Sequence, residues 1–146
     1  MGCSVVCGPS SRNPGDRQGE MPKQPVISIV DDDHSVREAV MDLMSSLGFA
    51  AEAFPSAGTF LTSDAVRSTS CLIADVQMPG MSGLELRRRL AASGNAIPTI
   101  LITAYPDDTV RAHAHEAGVI GYLTKPFSDD ELIGCIDLAL ERRKAS

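Results

Sequence analysis

The stretch CLIADVQMPGMSG, Cys71 to Gly83, decides how the rest of the chain is read. Its first four residues are apolar without alternation, the mark of a short strand buried on both faces. The run stops on one carboxylate, Asp75, and a Met78-Pro79-Gly80 turn follows. An aspartate at a strand end is ordinarily a turn residue or a helix cap. Whether Asp75 is more than that depends on what the other strand ends carry.

From Pro25 onward, short apolar runs alternate with helical patterns, the signature of a parallel sheet covered by helices on both faces. Strands are expected at 26–30, 50–54, 71–74, 99–102 and 119–123. Helices are expected near 34–47, 57–63, 83–93, 108–117 and 129–143. The first places Val36, Val40, Leu43 and Leu47 on one face, with Gly48 as its stop. The last does the same with Leu132, Ile136 and Leu140, and Ser128 is placed to cap it.

A chain of 146 residues makes one ordinary domain, and 43% hydrophobic with 22% charged residues suits a soluble globular protein. No apolar run approaches the roughly 20 residues that cross a bilayer, so no membrane partner is expected. A net charge of −6 speaks against direct binding of nucleic acid by this chain, since a phosphate backbone calls for a concentrated basic surface. Cys3, Cys7, Cys71 and Cys135 are scattered without zinc-site spacing, and no secretory signal opens the chain, so a cytoplasmic location is expected. Residues 1–24, rich in Gly, Pro, Ser and Asn, read as a disordered tail before a domain at 25–144.

An open doubly wound sheet binds ligands beyond the carboxyl ends of its strands. In this chain those ends carry Asp31 and Asp32 after the first strand, Asp75 after the third, Thr103 after the fourth and Lys125 after the fifth. Three crowded carboxylates repel one another unless a cation joins them. With only oxygen ligands at hand, that cation is expected to be magnesium or a similar hard ion such as manganese. Lys125 and Thr103 suit the oxygens of a bound phosphate, so the rim fits phosphoryl chemistry.

VDDD (30–33), DVQMPGMSG (75–83), ILITAY (100–105) and GYLTKPF (121–127) together resemble the motifs of response-regulator receiver domains of the CheY-like superfamily. The likeness covers about 26–143, and its flavour is nearest the FixJ and NarL types of transcriptional regulator. It implies an α/β, flavodoxin-like, doubly wound five-stranded parallel sheet in strand order 2-1-3-4-5. It also implies that Asp75 accepts a phosphoryl group from a sensor histidine kinase or phosphotransfer protein. Asp32 and Asp75 are then direct metal ligands, Asp31 holds a metal-bound water, and the backbone carbonyl of Gln77 completes the set. Thr103 and Lys125 contact the phosphoryl oxygens, Lys125-Pro126 is similar to the family's usual cis peptide, and Tyr122 stands at the aromatic switch position. With Asp31 and Asp32 as the acidic pair, Asp33 is left to cap the first helix.

The resemblance implies a signalling switch rather than an enzyme, acting on a downstream effector protein or on an output domain beyond Ser146. A phosphorylation-dependent homodimer is a further expectation. Alternatives are the receiver fragment of a DNA-binding regulator and a degenerate receiver working by protein contacts alone. A haloacid-dehalogenase-type phosphatase wants a second Asp where Gln77 stands, and DDDHSV lacks the glycine fingerprint of a nucleotide site. His34, His113 and His115 read as solvated helix residues, and Arg87-Arg88-Arg89 as an exposed charged face. The helix at 108–117 is alanine-rich and expected to pack weakly, with Val110 as its one sizeable apolar anchor.

Overall fold

The computed structural model describes residues 25–145, so the expected tail, with Cys3 and Cys7, lies outside the described residues. Five parallel strands form the sheet: β1 (Val26–Val30), β2 (Ala50–Phe54), β3 (Cys71–Asp75), β4 (Thr99–Thr103) and β5 (Gly121–Thr124). Their spatial order is β2-β1-β3-β4-β5, as the resemblance implied. The helices are α1 (His34–Ser46), α2 (Ala57–Leu61), α3 (Ala65–Ser68), α4 (Gly83–Ala92), α5 (Asp108–Glu116) and α6 (Asp129–Ala145).

Alternation along the strands divides the core into two layers. Ile27, Ile29, Ile73, Ile100 and Ile102 face α1 and α6, where Val40, Met44, Leu132 and Ile136 meet them. Leu72, Ala74 and Leu101 face the other way, toward Phe60, Leu86 and Leu90. All five residues of β3 and all five of β4 are buried. The centre of the sheet is therefore its most rigid part, and the strand ends stand on that base.

Asp33 caps α1, its side chain accepting from the Ser35 amide at 2.9 Å. At α6 a reciprocal pair forms: the Glu131 amide donates to Ser128 Oγ at 3.1 Å, and the Ser128 amide to Glu131 Oε1 at 2.9 Å. Two expected elements shift. The helix at 57–63 breaks after Leu61, because Thr62 and Ser63 donate their hydroxyls back to Gly58 and Phe60 carbonyls, and a separate turn, α3, follows. The last strand starts at Gly121 rather than 119, because the Val119 amide still closes α5 by donating to Ala114 O, with Gly118 at φ 81°.

The candidate phosphoryl-transfer site

Strand order reverses between β1 and β3, and this is where the acids gather. The carboxylates of Asp31, Asp32 and Asp75 each offer an oxygen within 4.8 Å of the other two. Asp31 is fully buried and Asp75 is 5% exposed, whereas Asp32 faces solvent. Asp75 and Thr103 are the last residues of their strands, one step further into the ladder than the sequence suggests. The Val76 amide also bonds back to Ile102 O at 2.8 Å, which fixes the chain beyond Asp75.

Every oxygen of the two buried carboxylates is engaged. Lys125 Nζ donates to Asp31 Oδ2 at 3.0 Å and to Asp75 Oδ2 at 2.9 Å. The Asp33 amide donates to Asp31 Oδ1 at 2.9 Å, and the Gln77 amide to Asp75 Oδ1 at 3.0 Å. Two acids thus share one ammonium. Burial pushes the Asp31 carboxyl up, aided by the Asp75 charge, against the bonds from Asp33 and Lys125 that pull it down. Burial alone would lower Lys125, but its hydrogen bonds to Asp75 and Asp31 outweigh that and raise it. The Lys125-Pro126 peptide is cis.

Thr103, fully buried, donates its hydroxyl to Gln77 Oε1 at 2.6 Å and accepts from the Tyr105 amide at 3.0 Å. Tyr105 itself is 72% exposed. Tyr122 lies half-buried, its ring 4.8 Å from the Arg111 guanidinium and its hydroxyl accepting from the Asp107 amide at 3.4 Å. On α5 only Ala114 is buried, and Val110 packs against the core in part.

Sequence reasoning missed three contributors. Arg37 Nη1 donates to the Asp31 carbonyl at 2.6 Å, tying the acidic loop to α1; the signal was a cation one turn after the Asp33 cap that ends the acidic loop. Gly83 lets α4 pass so close to β3 that a Cβ there would lie 2.5 Å from the Asp75 carbonyl oxygen. The third is the bond that the Gln77 side chain accepts from Thr103. The arginine run also needs correction: Arg88 and Arg89 are exposed, but Arg87 turns inward, and its Nε and Nη1 are buried without a hydrogen-bond partner among the described residues. It stands three residues from both Leu84 and Leu90, on their face of α4. His34, His113 and His115 are exposed, as expected. Burial pushes the Cys71 thiol up to about 12, with neighbouring Cys135 adding to it, which leaves an unreactive core thiol.

Residues 27–137 match the family described as the response regulator receiver domain. The chain belongs to that family. This receiver domain is 42% identical over 125 residues to the response regulator protein TmoT of Ectopseudomonas mendocina, covering 86% of this chain and 57% of that protein. It is 34% identical over 116 residues to the transcriptional regulatory protein FixJ of Bradyrhizobium diazoefficiens, covering 80% and 57%. Among solved structures it resembles the response regulator StyR with a TM-score of 0.77 and 42% identity, over 84% of this chain and 64% of that one. The receiver domain spans little more than half the length of these curated relatives. No helix among its described residues is long and apolar enough to cross a membrane.

Proposed function

We propose that the receiver domain accepts a phosphoryl group on Asp75 from the phosphohistidine of a sensor kinase or phosphotransfer protein, and that this changes its affinity for a partner. The observation that carries the reading is the convergence of Asp31, Asp32, Asp75, Thr103 and Lys125 on one rim of the sheet, each on or next to a rigid strand end. An Asp75 carboxylate oxygen attacks phosphorus, an acyl phosphate O–P bond forms, and the P–N bond to the donor imidazole breaks. The imidazole leaves with the bonding electrons and takes a proton from solvent.

Asp31, Asp32 and Asp75 fit a hard divalent ion, since they offer only oxygen and carry more negative charge than Lys125 neutralises. Asp32, Asp75 and the Gln77 carbonyl are proposed as its direct ligands, with Asp31 acting through a water. Magnesium held there supplies positive charge to the transferring phosphoryl oxygens. Lys125 is placed to move from the Asp75 carboxylate onto a phosphoryl oxygen, holding the new charge without leaving the rim. Thr103 offers that group a hydroxyl, and Tyr122 adjusts as Thr103 moves. The FixJ relative is named a transcriptional regulator, which supports an output in gene control through a further domain or partner, not through contact of this acidic domain with DNA.

Phosphoramidate, whose P–N bond has the chemistry of phosphohistidine, tests the reading. Incubation with magnesium is expected to add one phosphoryl mass to the intact protein and none to Asp75→Asn. An equal gain in both proteins would move the acceptor elsewhere.

A further inference from the structure

We infer that the side chain of Gln77 is a positioning residue that holds the switch threonine in its resting place and so sets how much phosphorylation is needed to turn the domain on. The inference rests on the reading of Asp75 as acceptor and deepens it.

A threonine hydroxyl carries one proton and can donate it once. That of Thr103 is already given to Gln77 Oε1 at 2.6 Å, a short contact for two neutral groups. The hydroxyl therefore cannot serve a phosphoryl oxygen on Asp75 without leaving Gln77. Because Thr103 is fully buried, water does not offer a third acceptor. Its proton has two destinations, and they exclude one another.

Gln77 is suited to hold the resting one. Its own amide donates to Asp75 Oδ1 at 3.0 Å, so a single residue touches the acceptor carboxylate through its backbone and the threonine through its side chain. Gln77 is exposed, so once released its amide oxygen is taken up by water at little cost. A phosphoryl oxygen is charged and wins the exchange against a neutral amide, but by a margin that the Gln77 bond reduces. The displacement then reaches the surface directly, since the Tyr105 amide is bonded to the same Thr103 oxygen and the Tyr105 side chain is exposed.

The test is a beryllofluoride titration in magnesium of four proteins: wild type, Gln77→Met, Thr103→Val and the double variant. Binding is read by fluorine NMR and switching by the Tyr105 amide resonance. Methionine keeps the length of glutamine without its strong acceptor. Gln77→Met is expected to bind about fivefold more tightly than wild type, the worth of one neutral hydrogen bond. In the Thr103→Val background, where no hydroxyl remains to hold, the same change is expected to alter affinity less than about twofold by the same reasoning. The Tyr105 resonance of ligand-free Gln77→Met should already lie partway toward its bound position. Unchanged or weaker binding by Gln77→Met, or equal tightening in both backgrounds, would overturn the latch and leave the acceptor reading standing. No beryllofluoride adduct in the wild type would overturn both.

Discussion

The Lys125 ammonium lies 2.9 Å from Asp75 Oδ2 while also holding Asp31 Oδ2 at 3.0 Å, so one cation serves two buried acids. It is the internal counter-charge of the acidic cluster. Lys125→Met removes it and leaves both carboxylates uncompensated. In magnesium-free buffer at neutral pH this is expected to cost about 2–3 kcal/mol of stability in urea denaturation. Magnesium should recover part of the loss, because the ion replaces the missing charge. An unchanged midpoint without magnesium would show that the pair contributes nothing to the fold.

The pH dependence follows from the same cluster. Asp31 holds its proton more tightly in the folded state than in the unfolded chain, where its value is the usual 3.8. Stability therefore falls as pH rises from 3.8 through the raised folded value. Lys125, also raised, contributes stability that is fully present below its usual 10.5 and is lost only as pH climbs through its folded value. Magnesium needs the acids ionised, so the rise in melting temperature it brings should shrink as pH falls through the raised Asp31 value. A rise that persists undiminished down to the usual 3.8 would contradict the raised Asp31.

Two glycines separate close approach from mere flexibility. A Cβ at Gly83 would sit 2.5 Å from the Asp75 carbonyl oxygen and 3.0 Å from Leu101 Cδ2, so Gly83→Ala must push α4 off β3. A loss of about 2–3 kcal/mol is expected in thermal or urea melts, with slower phosphorylation because Asp75 moves too. Gly134, exposed on α6, has nothing within 4 Å of where a Cβ would stand. Gly134→Ala should add about 0.5–1 kcal/mol by helix propensity. Effects of equal sign at the two positions would refute the packing argument.

Arg87 makes an opposite kind of prediction. Burial alone lowers its pKa, and two of its nitrogens are buried without partners among the described residues. Arg87→Met keeps the aliphatic stem packed and removes the unsatisfied donors, so stability should rise by about 1 kcal/mol. A drop of that size would mean that the guanidinium has an anionic or water partner in solution.

How far the chain could be read ahead of its structure is clearest at Asp75 and at Gln77. The apolar run at 26–30 becomes a strand without a residue's error, because side-chain burial on both sheet faces writes itself into composition; the edge strand at 50–54 also keeps its bounds, although Glu52 and Ala53 are exposed. The rim acids, Thr103 and Lys125 were legible as well, since topology alone sends every strand end to one side. What Gln77 bonds to was not, because its partner is 26 residues away and the contact depends on the spacing of β3 and β4 ends. Arg87 was misread for a related reason: three consecutive arginines look like one charged face, but helical geometry sends Arg87 toward Leu84 and Leu90. The break after Leu61 was hidden in Thr62 and Ser63, whose hydroxyls compete with the helix they end.

Asp75 itself is expected to carry the phosphoryl group. An aspartyl phosphate reduced with borohydride becomes homoserine, which peptide mass spectrometry locates to one residue. After treatment with acetyl phosphate and magnesium, homoserine is expected at position 75 alone and is expected to vanish when magnesium is withheld. Homoserine at 31 or 32, or none at any position while the intact mass still gains a phosphoryl group, would contradict it.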